Sequence, residues 1–345
     1  MRKAFARTTA STALATSLVL VGGLAAADPA VLPRAEDIVG IGAETTAPLF
    51  NQLSTDYNAF LAAAGDSTSP RLYSWDTKGS PSIVPKAGAA QRSRVDGSGA
   101  GISGLENTTT EVDFARSSRG RQPIDQQSDV FIAFAKDAVS WAAKSGGHAP
   151  ANLSTAQLKD IYTCVTTNWQ QIDPALPNAT IKPFLPHTFS ESREYFLKTV
   201  GGGVPVNPGG CVVTAPQENQ GTDPLLNDDD AVVPYSVSRY ISQVYYGHTS
   251  GADAPGLLTV RSVNGKAPVD EVEKTIGAGF LASPYTFVVH NVVRQSQWTA
   301  ADARGTALRA VFDRAGWLCA NPAARAAVKS HGFVQLPSQA CGTTF

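Results

Sequence analysis

Hydroxyl side chains recur beside glycines or turns in four short segments: Thr45-Thr46 in GIGAETTAPLF, Ser98-Gly99 in RVDGSGAGISGL, Ser117-Ser118 in VDFARSSRG, and Ser190 and Ser192 in PHTFSESREYF. Three of the four run into a stretch that reads as a helix start, where free backbone N–H groups and the positive end of the helix dipole favour an anion. Hydroxyls together with amide N–H groups are the chemistry of oxyanion capture. Four such loops predict a cleft that closes around its solute.

Other chemistries fit the sequence less well. Gly99, Gly101 and Gly104 satisfy a dinucleotide-type G-x-G-x-x-G, but the preceding QRSRVD is not a buried strand, so no nucleotide cofactor is expected. There is no G-x-S-x-G elbow, and His148, His187, His248, His290 and His331 are scattered without metal-ligand spacing. Asp228-Asp229-Asp230 lacks the alternating ligands and glycine of a calcium loop and reads as a solvated turn. No cofactor, no metal and no catalytic step are expected. A secreted hydrolase or phosphatase is the runner-up, with Ser190 and His187 as its best improvised nucleophile and base, and no orienting third group.

Short apolar runs alternate with helical stretches, the pattern of an α/β protein. Residues 37–42 (DIVGIG), 71–75 and 112–115 read as strands, and 48–61 as a helix with Leu49, Leu53, Tyr57 and Phe60 at helical spacing. From Asp129 an almost unbroken apolar run, DVFIAFAKDAVSWAA, reads as a long strand. Residues 153–162 follow as a helix with Ser154 and Gln157 in capping-box spacing. Residues 194–200 continue as helix to the glycines at 201–203, 231–237 read as a strand and 238–246 as a helix. LLTVRSVNGKAPV reads as a hairpin turned by Asn264-Gly265, and 285–293 as a strand. Two helices, 303–317 and 321–330, close the chain, the second capped by Asn321-Pro322.

The first 27 residues carry Arg2, Lys3 and Arg7, then an apolar run, then Ala25-Ala26-Ala27, the layout of a cleaved secretory signal peptide. The expected location is therefore extracellular. No cysteine near the cleavage point suggests a lipid anchor. About 318 residues remain, which makes two lobes the default. With 28 Lys plus Arg against 29 Asp plus Glu, the chain has no long-range field for nucleic acid or anionic lipid. Cys164, Cys211, Cys319 and Cys341 favour disulfides in an exported chain. Neighbours are expected to pair, 164 with 211 and 319 with 341, although sequence alone leaves three connectivities open.

GIGAETTAPLF, GSGAGISGL, VDFARSSRG, FIAFAKDAVSWA, LSTAQLKDIYTCVTTNW, SESREYFLKTVG, ENQGTD with VVPYSVSRYI, and the closing HGFVQLP together resemble the phosphate-type solute-binding proteins of ABC importers. The likeness covers nearly the whole mature chain in motif order, while each motif alone is weak. It implies a two-lobed, type II periplasmic-binding-protein fold, each lobe a mixed sheet flanked by helices: 28–130 with 285–345 as lobe 1 and 131–284 as lobe 2. It further implies a monomer that traps a small oxyanion, most readily phosphate, for a membrane permease. Thr45, Thr46, Ser98, Gly99, Ser117 and Ser118 would serve from the first lobe, Ser190 and Ser192 from the second.

The chain departs from the family's pattern at two places. The fourth loop, normally Ser-Gly-Thr between glycines, has Phe189 before Ser190 and Glu191 after it, and Glu191 repels an anion unless it points away. The third loop, which usually carries an Asp that accepts a proton from phosphate, has Ser118 there, with Arg119 beside it. Thr188 and Glu191 also stand in capping-box spacing, so the fourth loop reads equally as a plain helix start. Arg116 and Arg119 read as solvated charges or as the cleft rim. A third reading, an extracellular sensor that has lost transport, follows from the altered fourth loop and the missing anchor.

Overall fold

The computed structural model describes residues 28–108 and 110–345; the expected signal peptide lies outside them. The sheet strands are β1 (Ile38–Gly42), β2 (Leu72–Ser74), β3 (Phe114–Ser117), β4 (Asp129–Lys144), β5 (Lys182–Leu185), β6 (Val213–Thr214), β7 (Ala231–Ser236), β8 (Leu258–Val260), β9 (Thr286–Arg294) and β10 (Val334–Gln335). The longer helices are α1 (Ala47–Ala63), α2 (Ser98–Glu106), α3 (Thr155–Tyr162), α4 (Glu191–Val200), α5 (Val237–Tyr246), α6 (Ala303–Phe312) and α7 (Pro322–Ser330).

The strand order is β2-β1-β3-β9-β4-β7-β5-β6, with β8 and β10 also pairing β4. β1 runs parallel to β2 and β3, while β9 runs antiparallel to β3. β4 joins the two lobes. Its first part pairs β9 from Asp129 opposite Arg294 to Ala138 opposite Thr286, and its second part pairs β7 from Val139 opposite Ser236 to Ala143 opposite Val232. The apolar run 130–143 is buried on both faces, which is why it reads as continuous rather than alternating. Asp137, buried near the changeover, accepts hydrogen bonds from Ser236 Oγ (2.7 Å) and the Ser238 amide (3.0 Å), so the crossing strand is tied to the start of α5.

Local signals set the helices. Ser154 and Gln157 form a reciprocal capping box on α3, and Asn321 caps α7 through the Ala323 amide. In the first lobe the Phe114 ring packs 5.6 Å from Phe50 of α1 and 5.0 Å from Phe312 of α6. Helix α2 lies against β1 so closely that a Cβ at Gly101 would stand 2.5 Å from Gly42 Cα. Cys164 is bonded to Cys211 and Cys319 to Cys341, the expected pairing. Such bonds suit an oxidising, extracellular setting.

Two expectations change. Asn264 and Gly265 do form a left-handed turn, at φ 51° and 74°, closed by a bridge between Val263 and Lys266. The flanks do not make a long hairpin, because Leu258–Val260 joins β4 and Ser262–Val263 pairs Asn152–Leu153. The helix expected over 303–317 ends at Phe312, and a separate turn spans Trp317–Ala320. Among the described residues no helix is long and apolar enough to cross a membrane.

Candidate functional site

The loops rich in hydroxyls meet between the lobes. Ser98 is the first residue of α2 and follows Gly97, whose φ of +99° only glycine adopts readily. A side chain at Gly97 would also meet Phe189 O at 2.8 Å, so the second and fourth loops touch there. The Ser98 hydroxyl accepts the Ser118 amide at 2.9 Å, which joins the second loop to the third. Across the cleft, Ser190 caps α4 by accepting the Arg193 amide at 3.1 Å. The cap is Ser190, not Thr188.

Carboxylates take several of the other donors. Glu191, the first helical residue of α4, accepts a hydrogen bond from the Ser98 amide through Oε1. Glu218 Oε1 accepts from Thr45 Oγ1 at 2.8 Å and from Ser192 Oγ at 2.6 Å, one hydroxyl from each lobe. Glu44 receives Lys78 Nζ at 3.1 Å and Asn219 Nδ2 at 3.1 Å. Burial pushes the Glu191 carboxyl up to about 8, with the Glu218 charge adding to it. Burial pushes Glu44 up to about 7; Lys78 opposes the rise, and Asp253 and Glu218 reinforce it.

Two of the expected hydroxyls turn elsewhere and a third is unmet. Thr46 Oγ1 bonds back to Ala43 O at 3.4 Å, and Ser117 Oγ donates to Arg119 O at 2.8 Å. Ser118 Oγ is buried without a hydrogen-bond partner among the described residues. Gly99 sits in the first turn of α2 with open space where a Cβ would be. Glu191, which repels an anion unless it points away, does not point away: it faces the α2 N-terminus, whose dipole favours a negative group.

Arg116 is neither solvated nor on the rim. It is fully buried, and its guanidinium donates to Gly42 O (3.2 Å), Ala43 O (3.3 Å) and Ser74 Oγ, bracing the β1–α1 loop that carries Thr45. Arg119 pairs with Asp125 at 2.7 Å and lines a cavity of about 500 Å³ with Ser118, Glu191 and Lys198. The supposed nucleophile pair is not assembled. Ser190 Oγ serves its helix, whereas His187 Nδ1 accepts the Phe189 amide and Nε2 faces Asp96 Oδ2 at 3.4 Å.

Glu44, Glu218 and Asn219 escaped sequence reasoning as site residues. The ENQGTD motif containing Glu218 and Asn219 was the available signal. Asn219 adopts φ +58° and accepts the Ser236 amide at 2.9 Å, which fixes this loop against β7.

Among solved structures, the chain is similar to an ABC-type phosphate transport receptor from Vibrio cholerae, at 17% identity over 87% of this chain and 100% of that one, with a TM-score of 0.57. It is also similar to a phosphate-binding protein from Stenotrophomonas maltophilia, at 16% identity over 88% and 91% with a TM-score of 0.52. A high-affinity periplasmic phosphate-binding protein bound with phosphate matches at 16% over 88% and 91%, with a TM-score of 0.51. At these identities the shared property is the fold. No curated protein matches the chain in sequence. The model of the PBP superfamily domain matches residues 30–291, and with most of its length so matched and its loops meeting between two α/β lobes, the chain belongs to the PBP superfamily.

Proposed function

We propose that the protein is an extracellular solute-binding protein that captures a small oxyanion, phosphate foremost, between its lobes and delivers it to an ABC permease. The observation that carries this is the meeting of the α2 and α4 N-termini across the cleft, with Thr45, Ser98 and Ser192 hydroxyls around them. Burying an anion requires each lone pair to be met, and fixed N–H dipoles and hydroxyls do so without a mobile counter-charge. The names of the similar solved proteins, all phosphate-binding or phosphate-transporting, support the choice of solute.

In this reading 28–130 with 285–345 form lobe 1 and 131–284 form lobe 2, β4 being shared, and residues 1–27 are removed on export. The ligand set is Thr45, Thr46, Ser98, Gly99, Ser117, Ser118, Ser190 and Ser192, of which Thr46 and Ser117 need a rotamer change to contribute. The protein acts as a monomer and performs no catalysis. A solute closes the lobes only in so far as it prefers the closed state. Calorimetric titration of the mature chain with phosphate, sulfate and small organic phosphates tests the reading. Ser98→Ala is expected to weaken oxyanion affinity by about 1 to 3 kcal/mol, and silence toward all these anions would reject the assignment.

A further inference from the structure

Three donors that would greet an oxyanion, the Ser98 amide and the Thr45 and Ser192 hydroxyls, are already engaged by the protein's own carboxylates. Glu191 Oε1 takes the Ser98 amide, and Glu191 Oε2, buried with the rest of a side chain that is 8% exposed, has no partner among the described residues. In the cavity that Glu191 also lines, Ser118 Oγ is likewise buried and unpartnered among the described residues, Ser118 being 2% exposed. An unmet hydroxyl near the first amide of a nine-residue helix, where the second oxygen of the occupying carboxylate finds no donor, describes a place that one carboxylate fills incompletely.

We propose that the Glu191 carboxylate is the resident occupant of this anion position, latching α4 of one lobe to the α2 N-terminus of the other, and that an oxyanion enters only by displacing it. The inference rests on the oxyanion reading above and makes Glu191 the residue that sets affinity within it. A carboxylate presents two oxygens in a plane, whereas a tetrahedral oxyanion presents four. The incoming solute can therefore take the Ser98 amide and also meet the Ser118 hydroxyl that Glu191 leaves unmet.

Charge decides how readily the carboxylate leaves. The groups around Glu191 are Asp96 with His187 at the mouth, Glu218 and then Glu44 deeper in the cleft, the Arg119–Asp125 pair after β3, and Glu194 and Lys198 farther along α4. Acids dominate near the carboxylate, so an ionised Glu191 and an oxyanion repel each other in the same small space. Protonation removes that repulsion, and burial raises the Glu191 carboxyl to about 8. Oxyanion affinity should then rise as the pH falls through that value.

The test compares the full mature chain with Glu191→Gln and Glu191→Ala. Without solute, small-angle scattering should show Glu191→Ala more open than the parent. Titrated with sulfate, whose charge is constant over the range, and with phosphate, both variants should bind at least about tenfold more tightly than the parent at about pH 9. The advantage should shrink at about pH 6, where the parent's acid is neutral. Unchanged scattering with equal or weaker affinity in both variants would overturn the latch while leaving oxyanion capture standing in the parent. An opened Glu191→Ala in which no form binds either anion would overturn displacement together with the oxyanion reading.

Discussion

Thr45 and Glu218 lie 173 positions apart in sequence and join across the cleft, the Thr45 hydroxyl donating to the Glu218 carboxylate at 2.8 Å. The same oxygen accepts from Ser192 at 2.6 Å, so one buried carboxylate collects a hydroxyl from each lobe. This contact is a direct report of closure. Thr45→Val keeps the side-chain shape and deletes the donor. It should lower the free energy of unfolding by about 1.5 to 3 kcal/mol, the usual worth of a hydrogen bond to a charged group. Denaturant titration in the absence of solute checks it.

The pH dependence of stability follows from the buried acids and histidines. Glu191 and Glu44 are raised by burial to about 8 and about 7, so the folded protein holds their protons more tightly than the unfolded chain. Their contribution is complete below the ordinary carboxylate value and is lost as the pH rises through 7 to 8. Burial lowers His290 to about 4 and His331 to about 3, which gives the opposite sign: their contribution is present above the ordinary imidazole value and lost on acidification. Between about pH 6.5 and 8.5 Asp129, raised by burial to about 7, and His187, raised by its hydrogen bond to Asp96, act in the same direction as these two acids, so the melting temperature should fall with rising pH. Glu191→Gln should flatten that fall, and a parallel slope would contradict the assignment.

How much was legible depended on how local each cause was. The strand 129–144 showed itself because burial on both faces requires a continuous apolar run, and α3 and α7 because Ser154, Gln157 and Asn321 cap their own helices. The Asn264-Gly265 turn was equally local and is present. The partners of its flanking strands were not, because Leu258–Val260 finds β4 more than a hundred residues back. The hydroxyl loops were visible for the same reason as the caps. What those hydroxyls bond to was hidden, since Glu44, Glu191 and Glu218 reach the site from three separate segments. Arg116 reads in sequence as a solvated charge or as the cleft rim, because nothing beside it announces the carbonyls of Gly42 and Ala43 that receive it.

The two disulfides close loops of different length, 47 positions between Cys164 and Cys211 and 22 between Cys319 and Cys341. In the chain-entropy view each should be worth about 3 to 4 kcal/mol. The longer should exceed the shorter by about 0.7 kcal/mol. Paired Cys→Ser variants, unfolded in denaturant, test both the size and the order. A larger loss from the shorter loop would show native contacts, rather than unfolded-state entropy, to dominate. The tail beyond Cys341 makes that a real alternative, since the Thr343 carbonyl and the Phe345 amide bond to Ala133 and Phe131 of β4.

Two glycines in α2 should respond in opposite ways to the same substitution. A Cβ at Gly101 would stand 2.5 Å from Gly42 Cα, so Gly101→Ala must push the helix off β1. Overpacking of this kind costs about 1 to 3 kcal/mol, and it should also weaken oxyanion binding because Ser98 moves with the helix. At Gly99 a Cβ meets nothing within 4 Å and the backbone is helical, so Gly99→Ala should leave the fold intact and stabilise it by about 0.4 to 1 kcal/mol through the unfolded chain. Denaturant titration of the pair reads the contrast directly. Equal effects would mean that α2 does not rest on β1, and with that the positioning of Ser98 would lose its physical cause.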